Sequence, residues 1–573
     1  MDKVSKKNQM NKNKIKILRE KFKDLEIDGY IVPKNDQYFS EYAKNDRLKN
    51  ISKFSGSAGL AVILKKKNYL FVDGRYTIQA QKESSKNFKI IEIHKSLPNT
   101  IIKNYKLGYD PNLFTSKNLK DSFSNNSLVS INKNLIDQIF KFKEKKTKPF
   151  YSLEKKIVGE THQSKISKIV SFLKLTKADY LFISAPENVA WLLNIRGYDN
   201  PNSPIPNARL IINKNKKLFL VTKKENTKKI TKEKKIKNNQ IITHNELPNF
   251  INKLKGKSFI TDNKTCSVFY ENIIKSRFNI LDNVDPIYKL KSIKNAYEIN
   301  HMIQAHKKDG LALTKFIYWI KYINKKKITE IDAQNKLEKF RRLNNDYLFP
   351  SFNTIAGSGS NGAIVHYRAT KKSSKQITKK DIFLLDSGGQ YRFGTTDVTR
   401  TICFSDQKQY IKNAYTNVLK GHIAVALTDL IKDNTGKKID IRARKFLKKE
   451  GLDYAHGTGH GVGFFLNVHE GPQSISKYNS IKIEKGMILS NEPGYYKKNH
   501  FGIRIENLVY AKQLKNTLSF KNLTLAPIEK DLINYKLLSK IEKDYLFKYH
   551  LSIYAEYSAL LNKKERKWLA TLI

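Results

Sequence analysis

Four carboxylates set at the ends of short apolar, β-like runs constrain this chain more than any other feature of its sequence. Asp386 closes the run Asp381-Ile382-Phe383-Leu384-Leu385, where a buried charge is costly unless it meets a cation. Asp397 follows eleven residues later, after a glycine-marked turn and just before Val398-Thr399-Arg400, so an antiparallel hairpin brings the two together. Glu492 and Glu506 repeat the arrangement fourteen residues apart, on two short runs flanking a polar turn. Between the pairs lies His456-Gly457-Thr458-Gly459-His460-Gly461-Val462-Gly463, whose glycines allow close backbone approach and whose imidazoles project from a constrained turn.

Any one of these residues alone is ordinary, because an Asp in a hairpin is usually a turn former and a lone His is usually structural. Their ordered co-occurrence predicts a two-metal site made of Asp386, Asp397, His460, Glu492 and Glu506. Four carboxylates and one neutral imidazole suit Mn²⁺ first, with Co²⁺, Fe²⁺ or Zn²⁺ compatible. In Ile503-Arg504-Ile505-Glu506 the period of two puts Arg504 and Glu506 on one strand face, where the guanidinium can orient neighbouring carboxylates. His366, His456 and His469 exceed what one imidazole ligand requires and are candidate contacts to substrate and transition state.

With 573 residues, 40% of them hydrophobic, the chain has material for two to four domains. Two passages read as a diverged repeat: one runs from Ile27 through Ser55-Gly56-Ser57-Ala58-Gly59 to Asp73-Gly74-Arg75, the other from Lys177 through Trp191 to Val221. Each reads helix, strand, helical or loop segment, strand, strand, which predicts two related mixed α/β domains. We expect domains at 1–147, 148–287 and 288–573, the last with an extension from about 515. In the third, helices near 326–343, 408–428 and 437–450 alternate with the strand pairs, and the Lys-, Asn- and Ser-rich stretches at 115–150 and 222–240 are expected to be loosely packed connections. Ile299, Met302, Ile303, Leu311, Leu313, Phe316 and Ile317 fall at helical spacing.

The net charge of +56 would raise nucleic-acid binding if it were clustered. The lysines are instead spread along the chain beside abundant Asn and Ile, which reads as compositional drift over a solvated surface, so nucleic-acid binding is not expected. Two distant cysteines, Cys266 and Cys403, make neither a zinc pattern nor a disulfide framework, in keeping with a reducing cytoplasm. The basic start leads into no apolar signal region, and no run of about 18 apolar residues occurs, so neither export nor membrane spanning is expected.

The ordered motifs NGAIVHYRAT, LLDSGGQYRFGTTDVTRT, HGTGHGVGFFLNVHEGP and SNEPGYYKKNHFGIRIEN resemble the pita-bread metallopeptidases. Within them the chain is most similar to the three-domain, cytosolic Xaa-Pro aminopeptidases, also called aminopeptidases P. The resemblance extends to DQYFSEY and SGSAG…DGRY near the N-terminus and LTLAPIEKDLI near the C-terminus. It implies two creatinase-like α/β domains before a pita-bread catalytic domain, with Asp386 bridging two divalent ions and Glu492 acting also as proton carrier. It further implies removal of the residue preceding proline by a dimetal-bridging hydroxide, catalytic or substrate roles for His366, His456, His469 and Arg504, a substrate contact for Arg47, and a cytoplasmic homodimer. Readings that remain open are a Xaa-Pro dipeptidase (prolidase), a non-catalytic peptide-binding scaffold and a metal-free creatinase-like hydrolase; the intact ligand set speaks against the last two.

Overall fold

In the computed structural model, residues 2–43, 45–142, 148–324 and 326–573 are described. The expected boundary at 147 falls within 143–147, outside the described residues. The chain divides into two compact units, one made of the residues up to Glu154 with Glu160–Ile287, the other of Lys155–Gly159 with Tyr288–Ile573.

The first unit holds two six-stranded mixed sheets of the same design. In one, Gly29–Pro33 pairs antiparallel with Leu60–Leu64 and parallel with Lys106–Tyr109. Outside these lie Asn68–Val72 and Lys89–Glu92 on one flank and Ser127–Ser130 on the other. In the second sheet Tyr180–Ile183 takes the place of Gly29–Pro33, between Arg209–Asn213 and Ser258–Thr261, with the same strand senses throughout. The repeat read from the sequence is therefore a repeat of the whole sheet. Strands such as Tyr30-Ile31-Val32 carry no polar alternation because both sheet faces are covered: Tyr30 and Val32 pack with Leu18 and Phe22, and Ile31 packs on the other side with Val62 and Phe71. The stretch after 115, expected to be loose, contains the helix Ser116–Phe123 and the edge strand Ser127–Ser130. Leu119 and Phe123, one helical turn apart, are buried, and that is enough to anchor it.

The second unit begins its main fold with the helix Ala296–Tyr318, started by Asn295, whose side chain accepts from Tyr297 and Glu298 N–H while the Glu298 carboxylate accepts from Asn295 N–H. Met302, Leu313, Phe316 and Ile317 are buried on it, and Ile299, Ile303 and Leu311 half-buried. This helix and Glu330–Arg342 cover a three-stranded antiparallel sheet, Ile355–Ser358, Phe383–Ser387 and Val398–Ile402. Phe383, Leu385, Val398 and Ile402 face that helical core. The period of two then sends Asp386, Asp397 and Thr399 to the opposite face. A five-stranded antiparallel sheet, ordered Glu470–Ile475, Gly459–Gly461, Ile488–Asn491, Asn507–Leu514 and Thr517–Asn522, packs beneath the helices Gln409–Ala426 and Gly436–Lys449. Helices Lys540–Tyr557 and Lys563–Ala570 follow. No helix among the described residues is long and apolar enough to cross a membrane.

The two sequence-predicted hairpins form with a modification. Phe383–Ser387 and Val398–Ile402 are joined through a small inserted hairpin, Gly389–Tyr391 with Gly394–Thr395. The second hairpin is broken: Ile488–Asn491 pairs with Asn507 onward, Gly494–Lys497 pairs with Phe501–Arg504, and Glu492-Pro493 and Ile505-Glu506 lie between the two ladders. Pro493 has no N–H to donate, so the ladder parts there. The close approach promised by the glycines is made by Gly459, where a Cβ would lie 1.9 Å from the Ser490 carbonyl oxygen. Gly459→Ala must push the Ser490–Glu492 strand away; we expect a loss of about 1–3 kcal/mol in urea unfolding, with a matching fall in divalent-ion binding by titration.

Candidate metal centre

Each side chain of the centre is delivered by a different feature of the two sheets. Asp386 stands opposite Thr399 in the ladder, and its Oδ2 accepts 2.6 Å from Arg504 Nη2. Thr399 Oγ1 donates to Glu506 Oε2 at 2.7 Å and accepts from Arg504 Nε at 3.1 Å. Arg504 thus touches Asp386 directly and reaches Glu506 through Thr399. Glu506 N–H donates to the Thr399 carbonyl at 3.1 Å, and Glu492 N–H to that of Thr458 at 2.8 Å, which locks the bend on both sides.

His460 makes the case for a cation. Its Nδ1 lies 2.9 Å from the Gly461 carbonyl oxygen, a contact that an N–H satisfies, which in the neutral ring leaves the Nε2 lone pair pointing away. That lone pair looks toward Glu492 Oε1 at 3.4 Å and Asp397 Oδ2 at 3.5 Å. Three acceptors facing one another repel unless a positive charge lies among them. One ligand atom from each of Asp397, His460 and Glu506 falls within a 4.8 Å group. Asp386 Oδ1 and Asp397 Oδ1 are buried without a hydrogen-bond partner among the described residues. Orphaned carboxylate oxygens of this kind are what divalent ions satisfy, and the donor set fits hard or borderline metals. The described residues contain one other compact group, Cys403, Glu529 and Asp531, but its cation is supplied by Lys321 Nζ, 2.6 Å from both oxygens of Glu529 and 2.9 Å from Asp531.

Burial and the mutual repulsion of Asp386, Asp397, Glu492 and Glu506 push the Asp397 and Glu506 carboxyls well above the ordinary carboxylate range, against the smaller opposing effects of His469 and Arg504 at Asp397 and of Arg504 at Glu506. The Arg504 guanidinium is fully buried yet held firmly charged by the tyrosine and carboxylates around it.

The remaining sequence-predicted residues fall as follows. His456 Nε2 lies 2.9 Å from the Tyr496 hydroxyl, which receives Arg504 Nη1 at 2.6 Å, so His456 is joined to Asp386 through two intermediaries. His469 sets its ring edge-on to His460, centroids 4.3 Å apart. His366 follows Val365, whose carbonyl oxygen is 3.5 Å from Arg504 Nη1. Arg47 lies in the other unit, donating through Nε and Nη2 to both oxygens of Asp137 at 2.7 Å. Sequence reasoning missed Thr399, Ser490 and Tyr496. Ser490 Oγ donates to Glu492 Oε1 at 3.0 Å and accepts from His460 N–H at 2.9 Å. Two of them were available from the period of two, since Thr399 follows Asp397 and Ser490 precedes Glu492 by two residues. Tyr496, half-buried and with its hydroxyl pushed up to about 12 by loss of solvent, had no such signal.

Comparison with known proteins places each region. Residues 14–139 and 141–298 match the creatinase/prolidase N-terminal domain, residues 300–513 metallopeptidase family M24, and residues 516–572 the C-terminal region of that peptidase family. The chain is 37% identical to Xaa-Pro aminopeptidase 1 of Dictyostelium discoideum, over 98% of this chain and 96% of the relative. It is 34% identical to aminopeptidase P2 of Arabidopsis thaliana, over 95% and 85%. Its fold matches the crystal structure of X-prolyl aminopeptidase from Caenorhabditis elegans, described as a cytosolic enzyme with a di-nuclear active site, at TM-score 0.90 and 29% identity over 98% of this chain and 99% of that one. The prolidase of Pyrococcus horikoshii matches at TM-score 0.53 and 25% identity, over 64% of this chain and 99% of that one.

The raised carboxyls fix the sign of a pH effect. In the metal-stripped protein, acids whose pKa is higher folded than unfolded stabilise fully below their unfolded values and lose that contribution as pH rises through their folded values. Their contribution to the stability of stripped protein should therefore fall from about pH 4 upward, and the gain in Tm on adding Mn²⁺ should grow over the same range.

Proposed function

The chain belongs to metallopeptidase family M24, and from that premise we propose that it is a Xaa-Pro aminopeptidase, releasing the N-terminal residue from peptides with proline second. The observation that carries this choice over a prolidase is the likeness to Xaa-Pro aminopeptidases along essentially the whole chain, both N-terminal domains included, whereas the prolidase likeness covers 64% of it.

In this reading Asp386, Asp397, His460, Glu492 and Glu506 hold two divalent ions, Mn²⁺ by the hardness of the donor set. Such ions acidify a bound water and polarise a peptide carbonyl. Glu492, steadied through Oε1 by Ser490, takes the proton of the attacking water and returns it to the proline nitrogen as the C–N bond breaks. The products are the free amino acid and a peptide beginning with proline. His469, beside His460, donates to the oxygen that becomes negative as the carbonyl turns tetrahedral. Arg504 anchors Asp386 through Oδ2 and leaves its unpartnered Oδ1 for an ion. The substrate's scissile amide is tertiary and has no N–H to offer, and His366, His456 and Tyr496 form the wall against which the ring packs.

We also propose the domain limits 1–147, 148–287 and 288–573, a cytoplasmic setting and a homodimer. The deciding assay compares Xaa-Pro-Yaa with Xaa-Ala-Yaa and Xaa-Pro, using chelator-stripped protein with and without Mn²⁺. Metal-dependent release of Xaa from the proline tripeptide is expected; cleavage confined to the dipeptide would make the protein a prolidase. Glu492→Gln should lower kcat on the order of 10³-fold and leave the melt of the protein intact; wild-type turnover in that variant would remove Glu492 from its role.

A further inference from the structure

Arg400 is almost wholly inaccessible, at 1% exposure, and its guanidinium has no carboxylate partner among the described residues. On the strand Val398–Ile402 its parity sends it away from Thr399 and Asp397, so it lies behind the metal centre. Its donors are nevertheless committed to that centre's backbone. Nη1 donates to the carbonyl of Thr399 at 2.8 Å and to that of Glu506 at 2.6 Å. These are the same two residues joined in front by the Thr399 hydroxyl and the Glu506 carboxylate. Arg400 therefore clamps from behind the pair that the threonine ties from the front.

The other side of the guanidinium is held by the segment after the five-stranded sheet. Nε donates to the Pro527 carbonyl and Nη2 to that of Ala526, each at 2.8 Å, and Nη2 also meets the Tyr549 hydroxyl at 3.0 Å and Asn507 Oδ1 at 2.8 Å. Tyr549 stands on the C-terminal helix Lys540–Tyr557, and its hydroxyl also receives Ala526 N–H at 3.2 Å. An Arg fork accepts little angular error, so where Tyr549 and Ala526 stand determines where Nη1 holds Glu506.

We propose that the C-terminal region is a positioning element for the metal centre, acting through Tyr549 and Arg400 on Glu506. This rests on the reading of the carboxylate group as a metal site, and a burial role alone would not require it. The helix contributes Leu546 and Ile553 to the core as well; those contacts stabilise the fold without touching Arg400. Tyr549→Phe removes only a hydroxyl, taking away one of the three acceptors around Arg400 Nη2 and the acceptor of the Ala526 N–H, and leaves the ring in place.

The test is Mn²⁺ affinity of the stripped full-length protein, measured by competition with a fluorescent chelator, for wild type, Tyr549→Phe, Arg400→Lys and Ile553→Val. Ile553, fully buried on the same helix, reports packing loss alone. Binding about tenfold weaker is expected in Tyr549→Phe and at least as weak in Arg400→Lys, with Ile553→Val binding as wild type despite a lower Tm. Wild-type affinity in Tyr549→Phe, or an equal loss in Ile553→Val, overturns the inference while leaving the metal site standing. Failure of the wild type itself to bind Mn²⁺ overturns both, and that arm alone identifies the case.

Discussion

Buried negative charge, gathered where two β-ladders part, is the constraint around which the second unit is arranged. Asp386, Asp397, Glu492 and Glu506 converge on one guanidinium, that of Arg504, and on the imidazole of His460. One positive charge cannot offset four carboxylates at low dielectric, and the upward shift of Asp397 and Glu506 is the expression of that deficit. The backbone around the group is correspondingly over-determined. The bend at Glu492 is held to Thr458, the bend at Glu506 to Thr399, and His460 to Ser490. These bonds fix the oxygens before any ion arrives, so the repulsion is borne by the folded chain and relieved on binding.

This arrangement explains why the core of the unit is divided as it is. Apolar residues of the strands around Asp386 point to the helices Ala296–Tyr318 and Glu330–Arg342, and the five-stranded sheet is covered by Gln409–Ala426 and Gly436–Lys449. Each sheet spends one face on packing, and the other face is left for polar groups. Charge is tolerated at Asp386 because its Oδ2 is paired with Arg504 Nη2 at 2.6 Å, while Leu385 and Phe383 hold the strand from the opposite side.

Much of this was legible from residue order. The apolar run ending in Asp386 announced a compensated charge, the period of two placed the carboxylates on shared faces, and the repeat in the N-terminal half translated into two sheets of identical order. Three things were not legible. A hairpin was read across Glu492 to Glu506, whereas Pro493 splits it and puts these two carboxylates in the gap; the proline was in view, but its consequence depends on which strand it would have faced. The length of the connection from Asp386 to Asp397 hid a separate small hairpin. Partners distant in sequence were invisible in principle, as with Arg47 and Asp137, ninety residues apart, or Arg400 and Tyr549. A lone arginine on a strand reads as an exposed edge residue until the segment that buries it is known.

The chain-wide excess of lysine and the local excess of carboxylate are separate matters. Charges on the surface are screened over about 8–10 Å, so drift in surface composition leaves the centre's field nearly untouched. Several lysines that enter the interior meet carboxylates there: Lys321 meets Glu529 and Asp531, and Lys291 and Lys294 share Glu470 next to His469. Arg400 differs from all of these, being buried against neutral oxygens only. A guanidinium in that setting is tolerated when its five donors are satisfied, and those of Arg400 are met by carbonyl, amide and hydroxyl oxygens. Two of these are the carbonyls of Thr399 and Glu506, which ties the backbone of Glu506 to the far side of the sheet.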